Sequence, residues 1–367
     1  MNIEASVAEQ QLITQFLEAL RALPDVRAKL DPQPPETGAG RSFDAQIDLN
    51  VSGKSFMLQI EAKKKAVYPR DVSHLLWRLL ADKYSGAKPD EAPLSLLVAE
   101  SISPGAKELL REQRVGYYDS GGSLYLPAPG AYLYIDKPPP KTLAKSIRAL
   151  YSGRRAQVLH ALLVRHDDWF GVNDLAQLAM VSPATASQVL SELELFDWAV
   201  SRGQGPSKQR HLSEPGALLD AWAQQLALAR PLSLQRYYVP GIAGTNADNL
   251  LARVSKAFDA SDAAYAISHE AAAQRYAPFL SSVSQVRARL MMDARAKLAI
   301  AELDARVVSE GANLAIIEAR SPGELLFREL IGDVWLASPV QVYLDLLRGE
   351  GRAKEMAEHL RKERLGF

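Results

Sequence analysis

The run of prolines Pro138, Pro139 and Pro140 sets the strongest constraint on how this chain can fold. Proline fixes its own φ, lacks an amide donor and clashes with a preceding helical turn, so neither a helix nor a central strand can pass through it. The segment starting at Lys137 therefore reads as a stiff, extended linker. The 367 residues exceed what one hydrophobic core ordinarily serves. With a second break at Arg230-Pro231, the expected domains are 1–137, 141–230 and 232–367.

Composition narrows the functional classes. At 47% hydrophobic and 23% charged the chain has enough apolar surface to fold throughout. It has no cysteine, which removes disulfides, thiolate nucleophiles and cysteine-ligated zinc. The formal net charge is zero, so any contact with nucleic acid must rest on local patches. The acidic start Met1-Asn2-Ile3-Glu4 is unlike a secretory signal, and no apolar run approaches the roughly 18 to 20 residues that span a bilayer. A soluble cytoplasmic protein with no membrane partner is expected.

Periodicity in the first segment predicts a helix from about Ser6 to Leu30, with Leu12, Phe16, Leu17, Leu20 and Leu23 on one face. The proline-rich stretch Asp31 to Gly38 should end it. A hairpin follows, Phe43 to Val51 and Ser55 to Lys63 joined by Ser52-Gly53-Lys54. Next come a helix over Val72–Ala81, a buried strand over Leu94–Ala99 and a helix over Ser103–Gln113 with a serine cap and proline in its first turn. Short strands at Gly116–Asp119, Leu124–Leu126 and Tyr132–Ile135 complete an α/β pattern.

In that hairpin, alternation puts Glu61 and Lys63 on one face, with Asp48 on the preceding strand. Two carboxylates and a lysine at a strand end suit a hard divalent cation and an activated water, the chemistry of phosphodiester hydrolysis. The arrangement resembles the PD-(D/E)xK nuclease pattern and implies a restriction-endonuclease-like α/β domain. Asp48, Glu61 and Lys63 would be its catalytic residues, and Glu9, Asp48 and Glu61 its ligands for magnesium, should it be active. Ile47 stands where that pattern often has proline. The bland alternative for Lys63-Lys64-Lys65 is a solvated basic edge.

The middle segment reads as a winged helix. Arg154–Arg165 is a helix with Val158, Leu159, Leu162 and Leu163 inward, and Trp169–Val172 is a short strand. Asn173 is placed to cap a second helix over Asp174–Met180, and Ser182-Pro183 opens a third through about Phe196. On the third helix Ser182, Thr185, Ser187, Gln188 and Ser191 fall outward, small polar groups suited to groove edges and phosphates. Strand-like Trp198–Arg202 and Arg210–Leu212 flank the glycine-rich loop Gly203–Gln209, which has the length and charge of a wing. Arg202, Lys208 and Arg210 are its expected phosphate contacts. A helical adaptor that packs only against protein is the alternative.

The last segment mixes strands and helices, giving a C-terminal α/β domain. Tyr265 to Leu280, Gly311-Ala312-Asn313-Leu314, Ser338 to Leu346 and Gly351 to Arg361 resemble AbiEi-type antitoxins, in the same order. Val115 to Leu124 is similar to a segment of longer members, with Ser123 where those often have asparagine. The resemblance implies a transcriptional regulator of a type IV toxin-antitoxin, phage-defence system. Its winged helix would bind double-stranded DNA with no cofactor, and its C-terminal domain would oppose a cognate nucleotidyltransferase-like toxin. A homodimer is a possible assembly. In shorter members the winged helix opens the chain, whereas here an α/β domain precedes it. A metal-dependent endonuclease and a non-enzymatic interaction scaffold are the rival functions.

Read from the residues alone, Gln341 and Asp345 share a helix face as an i, i+4 pair, and Tyr343, Leu344 and Leu347 belong to a core. His269 and His359 read as cap or surface residues. Arg287, Arg289, Arg295 and Lys297 read as a basic or simply solvated face.

Overall fold

The computed structural model describes residues 7–31, 43–80, 93–229, 233–241, 247–280 and 282–367. The expected breaker at 32–38 and the break at 230–231 lie outside the described residues. The chain divides into two compact units, Met1–Ile147 with Glu192–Asp197, and Arg148–Ser191 with Trp198–Phe367. The division falls inside a helix that follows the prolines, and the middle and C-terminal segments share one unit.

The first unit is built on a seven-stranded sheet. Helix α1 (Val7–Arg21) buries Phe16 and Leu20 but stops before Pro24. The expected continuation to Leu30 is instead strand β1 (Val26–Leu30), reached through Asp25 at φ +57°. Val-Arg-Ala-Lys-Leu alternates, and Val26 and Ala28 are buried while Arg27 and Lys29 are exposed, so period two wins over period 3.6. β2 (Ala45–Val51) and β3 (Lys54–Val67) form the expected hairpin, with Ser52 at φ +49° and Gly53 at φ +87° in the turn.

α2 (Pro69–Leu79) leads into β4 (Leu94–Ile102), and α3 (Pro104–Glu112) into β5 (Gly116–Asp119). β3, β4 and β5 run parallel, flanked by antiparallel β1 and β2 on one side and by β6 (Leu124–Ala128) and β7 (Ala131–Ile135) on the other. The central strand explains the apolar run at 94–99. Leu96 and Val98 join the core under α1, while Leu97 and Ala99 join the one with Val72 of α2 and Leu110 of α3.

The segment 115–124 closes a buried polar knot. Lys107 Nζ lies 2.9 Å from Asp119 Oδ2 and donates to Ser123 Oγ at 2.7 Å, and the Ser123 amide donates to Asp119 Oδ1 at 3.1 Å. These partners account for a polar residue at the buried position 123.

α4 (Lys141–Leu150) follows the prolines. The second unit then runs through α5 (Gly153–Val164), β8 (Trp169–Phe170), α6 (Val172–Leu178), α7 (Pro183–Leu195), β9 (Ala199–Arg202) and β10 (Gln209–Leu212). The three strands pair in the order β8-β10-β9. α6 starts after Gly171 and not at Asn173, so Asn173 sits inside the first turn. α8 (Pro215–Ala227) leads to a second seven-stranded sheet.

That sheet comprises β11 (Leu234–Tyr238), then after α9 (Ala247–Ala260) β12 (Tyr265–Ser268), and after α10 (His269–Tyr276) β13 (Val286–Met291). After α11 (Ala294–Glu302) come β14 (Arg306–Val307), β15 (Leu314–Ala319), β16 (Glu329–Ile331) and β17 (Val334–Leu336). α12 (Pro339–Leu346) and α13 (Ala353–Leu360) close the fold. The strand order is β14-β11-β15-β13-β12-β17-β16. Asn313 exchanges both of its amide bonds with the backbone of Val239, at 2.8 and 2.9 Å, which explains the Gly-Ala-Asn-Leu stretch as a clasp between β11 and β15.

α5 packs on α12. His160 lies 2.5 Å from Ser338 Oγ, and Gln157 donates to Ser321 Oγ at 3.2 Å. The fit is close enough that a Cβ on Gly323 would stand 2.1 Å from Gln157 Nε2.

Candidate functional site

Register decides the first candidate. Asp48 pairs with Met57, four residues along β3 from Glu61, or about 13 Å at ~3.3 Å per residue. Asp48 is exposed and does not join Glu61 and Lys63. Asp44 takes its place: its amide donates to Ile60 O at 2.9 Å, and its Oδ2 accepts from Ala62 N at 2.7 Å. The sequence carries both aspartates, and only the strand pairing tells which one lies beside the backbone that flanks Glu61.

Glu61 is 1% exposed and held by two cations. Lys63 Nζ stands 2.6 Å from Oε1 and Arg78 Nη2 3.1 Å from Oε2. Glu9 lies half-buried in the first turn of α1. The set Glu9, Asp48 and Glu61 does not fit a divalent cation, because Asp48 is displaced and Glu61 is already neutralised by Lys63 and Arg78. Among the described residues no three His, Cys, Asp or Glu side chains cluster as a metal site.

The second candidate is the surface of α7 and β8–β10. Ala186, Val189, Leu190 and Leu193 are buried, so the opposite face of α7 is presented outward. Ser182, Gln188 and Ser191 are exposed, and Thr185 and Ser187 half-buried. Ser182 caps the helix, its Oγ accepting from Thr185 N at 3.2 Å. α7 contains no Arg or Lys.

In the adjoining sheet Arg202 is exposed, and its guanidinium lies 4.2 Å from the Trp169 ring centroid while donating to Gln209 Oε1 at 2.7 and 3.0 Å. His211 stacks on the Trp169 ring itself, centroids 5.2 Å apart at 25°. Lys208 is half-buried. Arg210 departs from expectation: it lies on the central strand opposite Phe170 and Ser201 and is 8% exposed, so it faces inward. Alternation forces this, since His211 and Gln209 take the outer face. The Trp169 platform was missed, although the aromatic was already placed on a strand.

A third constellation had no sequence signal beyond the Gln341 and Asp345 pair. Arg289, expected on a solvated face, is buried and forks onto Asp345, Nε to Oδ2 at 2.9 Å and Nη2 to Oδ1 at 2.5 Å. Ser268 Oγ donates to Asp345 Oδ2 at 2.5 Å and Gln341 Nε2 to Oδ1 at 3.0 Å. Burial alone would raise the Asp345 carboxyl, but Arg289 outweighs it and holds the pKa at about 2.

Burial, aided by Arg289, pushes His160 down to about 4, so a neutral ring shares the hydrogen bond with Ser338 Oγ, which also accepts from Gln341 N at 3.2 Å. His269, expected as a cap or surface residue, is 2% exposed at φ +54°, and burial lowers its pKa too. His359 lies against Phe279, ring centroids 5.1 Å apart. Tyr343 and Leu344 are core, as expected, while Leu347 is half-buried.

Residues 211–365 match the family model described as transcriptional regulator, AbiEi antitoxin, type IV toxin-antitoxin system. Comparisons with curated proteins and with solved structures give no match. Among the described residues no helix is long and apolar enough to cross a membrane.

Proposed function

We propose that this chain is a DNA-binding transcriptional regulator that serves as the antitoxin of a type IV toxin-antitoxin system. The match over residues 211–365 is the observation that carries this reading. The order of α5, β8, α6, α7, β9 and β10 fits a winged helix, with α7 as the helix that enters the major groove. Ser182, Thr185, Ser187, Gln188 and Ser191 would meet base edges and phosphates, and Arg202 and Lys208 would lie along the backbone. Arg210 supports the sheet from within. The C-terminal domain would oppose a nucleotidyltransferase-like toxin.

With so few cations on this surface, duplex affinity should depend only shallowly on salt, since log K falls by roughly 0.9 per neutralised phosphate for each tenfold rise in salt. The test is fluorescence anisotropy on the duplex upstream of its own gene, with growth rescue on co-expression with an adjacent nucleotidyltransferase gene. Saturable binding that weakens in Gln188→Ala, together with rescue, is expected. Failure of both binding and rescue would sink the reading.

A second reading, a PD-(D/E)xK-like nuclease in the first unit, keeps one observation in its favour: Asp44 is brought beside the Glu61 and Lys63 segment. Magnesium-dependent cleavage of duplex DNA that disappears in Asp44→Ala and survives in Asp48→Ala would establish it. Absence of cleavage by the unaltered chain would dismiss it.

A further inference from the structure

The seven-stranded sheet of the first unit ends in two edges that differ in kind. On β1 the exposed side chains include Arg27 and Lys29, charges that discourage a further strand from adding. On the opposite edge β7 reads Ala131-Tyr132-Leu133-Tyr134-Ile135, with neither a charge nor a proline. Among the described residues no strand pairs with its outer side.

The bonding phase of β6 shows which main-chain groups that edge leaves unpaired. The Asp119 amide donates to Ser123 O at 3.1 Å, so the odd-numbered residues that follow turn their main-chain groups to β5, and Leu124, Leu126 and Ala128 turn theirs to β7. Their partners are Ile135, Leu133 and Ala131. Tyr132 and Tyr134, opposite Pro127 and Tyr125, therefore aim N–H and C=O outward. Their side chains share the sheet face with Tyr125, both rings edge-on to it, and are 66% and 44% exposed. Arg111 holds the second ring in place, its Nη1 donating to Tyr134 Oη at 2.8 Å. Leu133 points to the other face, against the core under α1.

We propose that β7 is a dimerisation edge, occupied by β7 of a second copy of this chain in antiparallel pairing about Leu133. Leu133 is the middle residue of the strand, so a two-fold axis there pairs it along its whole length. Tyr132 then lies opposite Tyr134 of the second copy, and the reverse. Both members of each such pair aim their main-chain groups outward, so each pair exchanges both bonds in the narrow arrangement of an antiparallel ladder. The tyrosine rings become cross-strand aromatic neighbours, and the two Leu133 side chains meet on the opposite face. No like charges are brought together within the strand, as they would be along β1. This self-match in bonding phase, side chains and charge is what selects a second copy as the occupant.

The experiment is sedimentation equilibrium of the full chain without DNA, from about 1 to 200 μM, with amide hydrogen exchange at both ends of that range. A monomer–dimer equilibrium with Kd below about 100 μM is expected. The amides of Tyr132 and Tyr134 should be slow in the dimer and fast on dilution, while those of Leu133 and Ile135, bonded to β6, stay slow in both. Tyr132→Lys puts a charge on an exposed position of the edge and should weaken dimerisation tenfold or more, whereas Tyr238→Lys, at an exposed tyrosine of the second unit, should leave it unchanged. Exchange on the unaltered chain tests the idea even if Tyr132→Lys does not fold. The proposal fails if the chain is monomeric throughout, if the Tyr132 and Tyr134 amides exchange equally fast at both concentrations, or if a folded Tyr132→Lys dimerises as well as the unaltered chain. Protection of these amides that arises only with a different protein present would also overturn self-pairing. No duplex takes part, so this outcome is separable from that of the regulator reading.

Discussion

Arg289 and Asp345 stand 56 residues apart in the chain and form a fully bonded pair inside the second unit. Removing one partner strands the other charge in the interior, so Asp345→Ala should lower the stability of that unit by about 3–5 kcal/mol in urea unfolding, while the paired change Arg289→Met with Asp345→Leu should cost far less. An equal loss in both would contradict this. His160 gives a second expectation. Its folded pKa of about 4 lies below its ordinary 6.5, so the unfolded chain takes up the proton first as pH falls. Its contribution is complete above about pH 6.5 and drains toward pH 4, by up to roughly 3 kcal/mol, whereas that of Asp345 is intact until about pH 3.8 and lost toward 2. Thermal melts from pH 7 to 4.5 should therefore fall in the unaltered chain and fall less steeply in His160→Gln, buried His269 supplying part of the remaining slope. None of this pair was legible in the sequence, where an arginine in an alternating strand reads as solvated. Asp44 and Asp48 were equally opaque, because a carboxylate's partner depends on register and not on its distance along the chain.

At the level of elements, the loop between β9 and β10 rests on Gly203, at φ +75° with Ser207 O only 2.8 Å from where a Cβ would be. Gly203→Ala should cost about 1–2 kcal/mol, seen as loss of amide protection in β9 and β10. On α7, Ser191→Glu places a negative charge on the outward face without touching the buried Ala186, Val189 and Leu190. It should weaken duplex binding by about 1–3 kcal/mol at unchanged melting temperature, and an unchanged affinity would remove α7 from the interface. Helices and strands with clear periodicity were readable, including the serine caps at Ser103 and Ser182. β1 was not, because Leu23 extends the helical face of α1 and masks the change of period that follows Pro24. Arg210 was misplaced by a single step of alternation.

Across the whole molecule, each unit carries its own core. The clusters around Phe16 and Tyr117 are made entirely from residues 12–133 and their immediate neighbours in the first sheet. Phe16→Ala should cost about 3–5 kcal/mol, and hydrogen exchange should show the loss in residues 7–135 with β13 and β15 still protected. The α/β character of both ends was readable from the alternation of patterns. The sheet orders were not, since pairing β13 with β15 across α11 and β14 joins strands that are not neighbours in sequence. Nor was the union of the middle and C-terminal segments, which depends on α5 meeting α12. That union rests in part on a missing methyl group. With Gln157 Nε2 occupying the space beside Gly323, positions 157 and 323 form an epistatic pair. A methyl at 323 would meet only the far end of the flexible Gln157 side chain, so the glutamine can turn aside, and whatever Gly323→Ala costs should shrink once position 157 has become small.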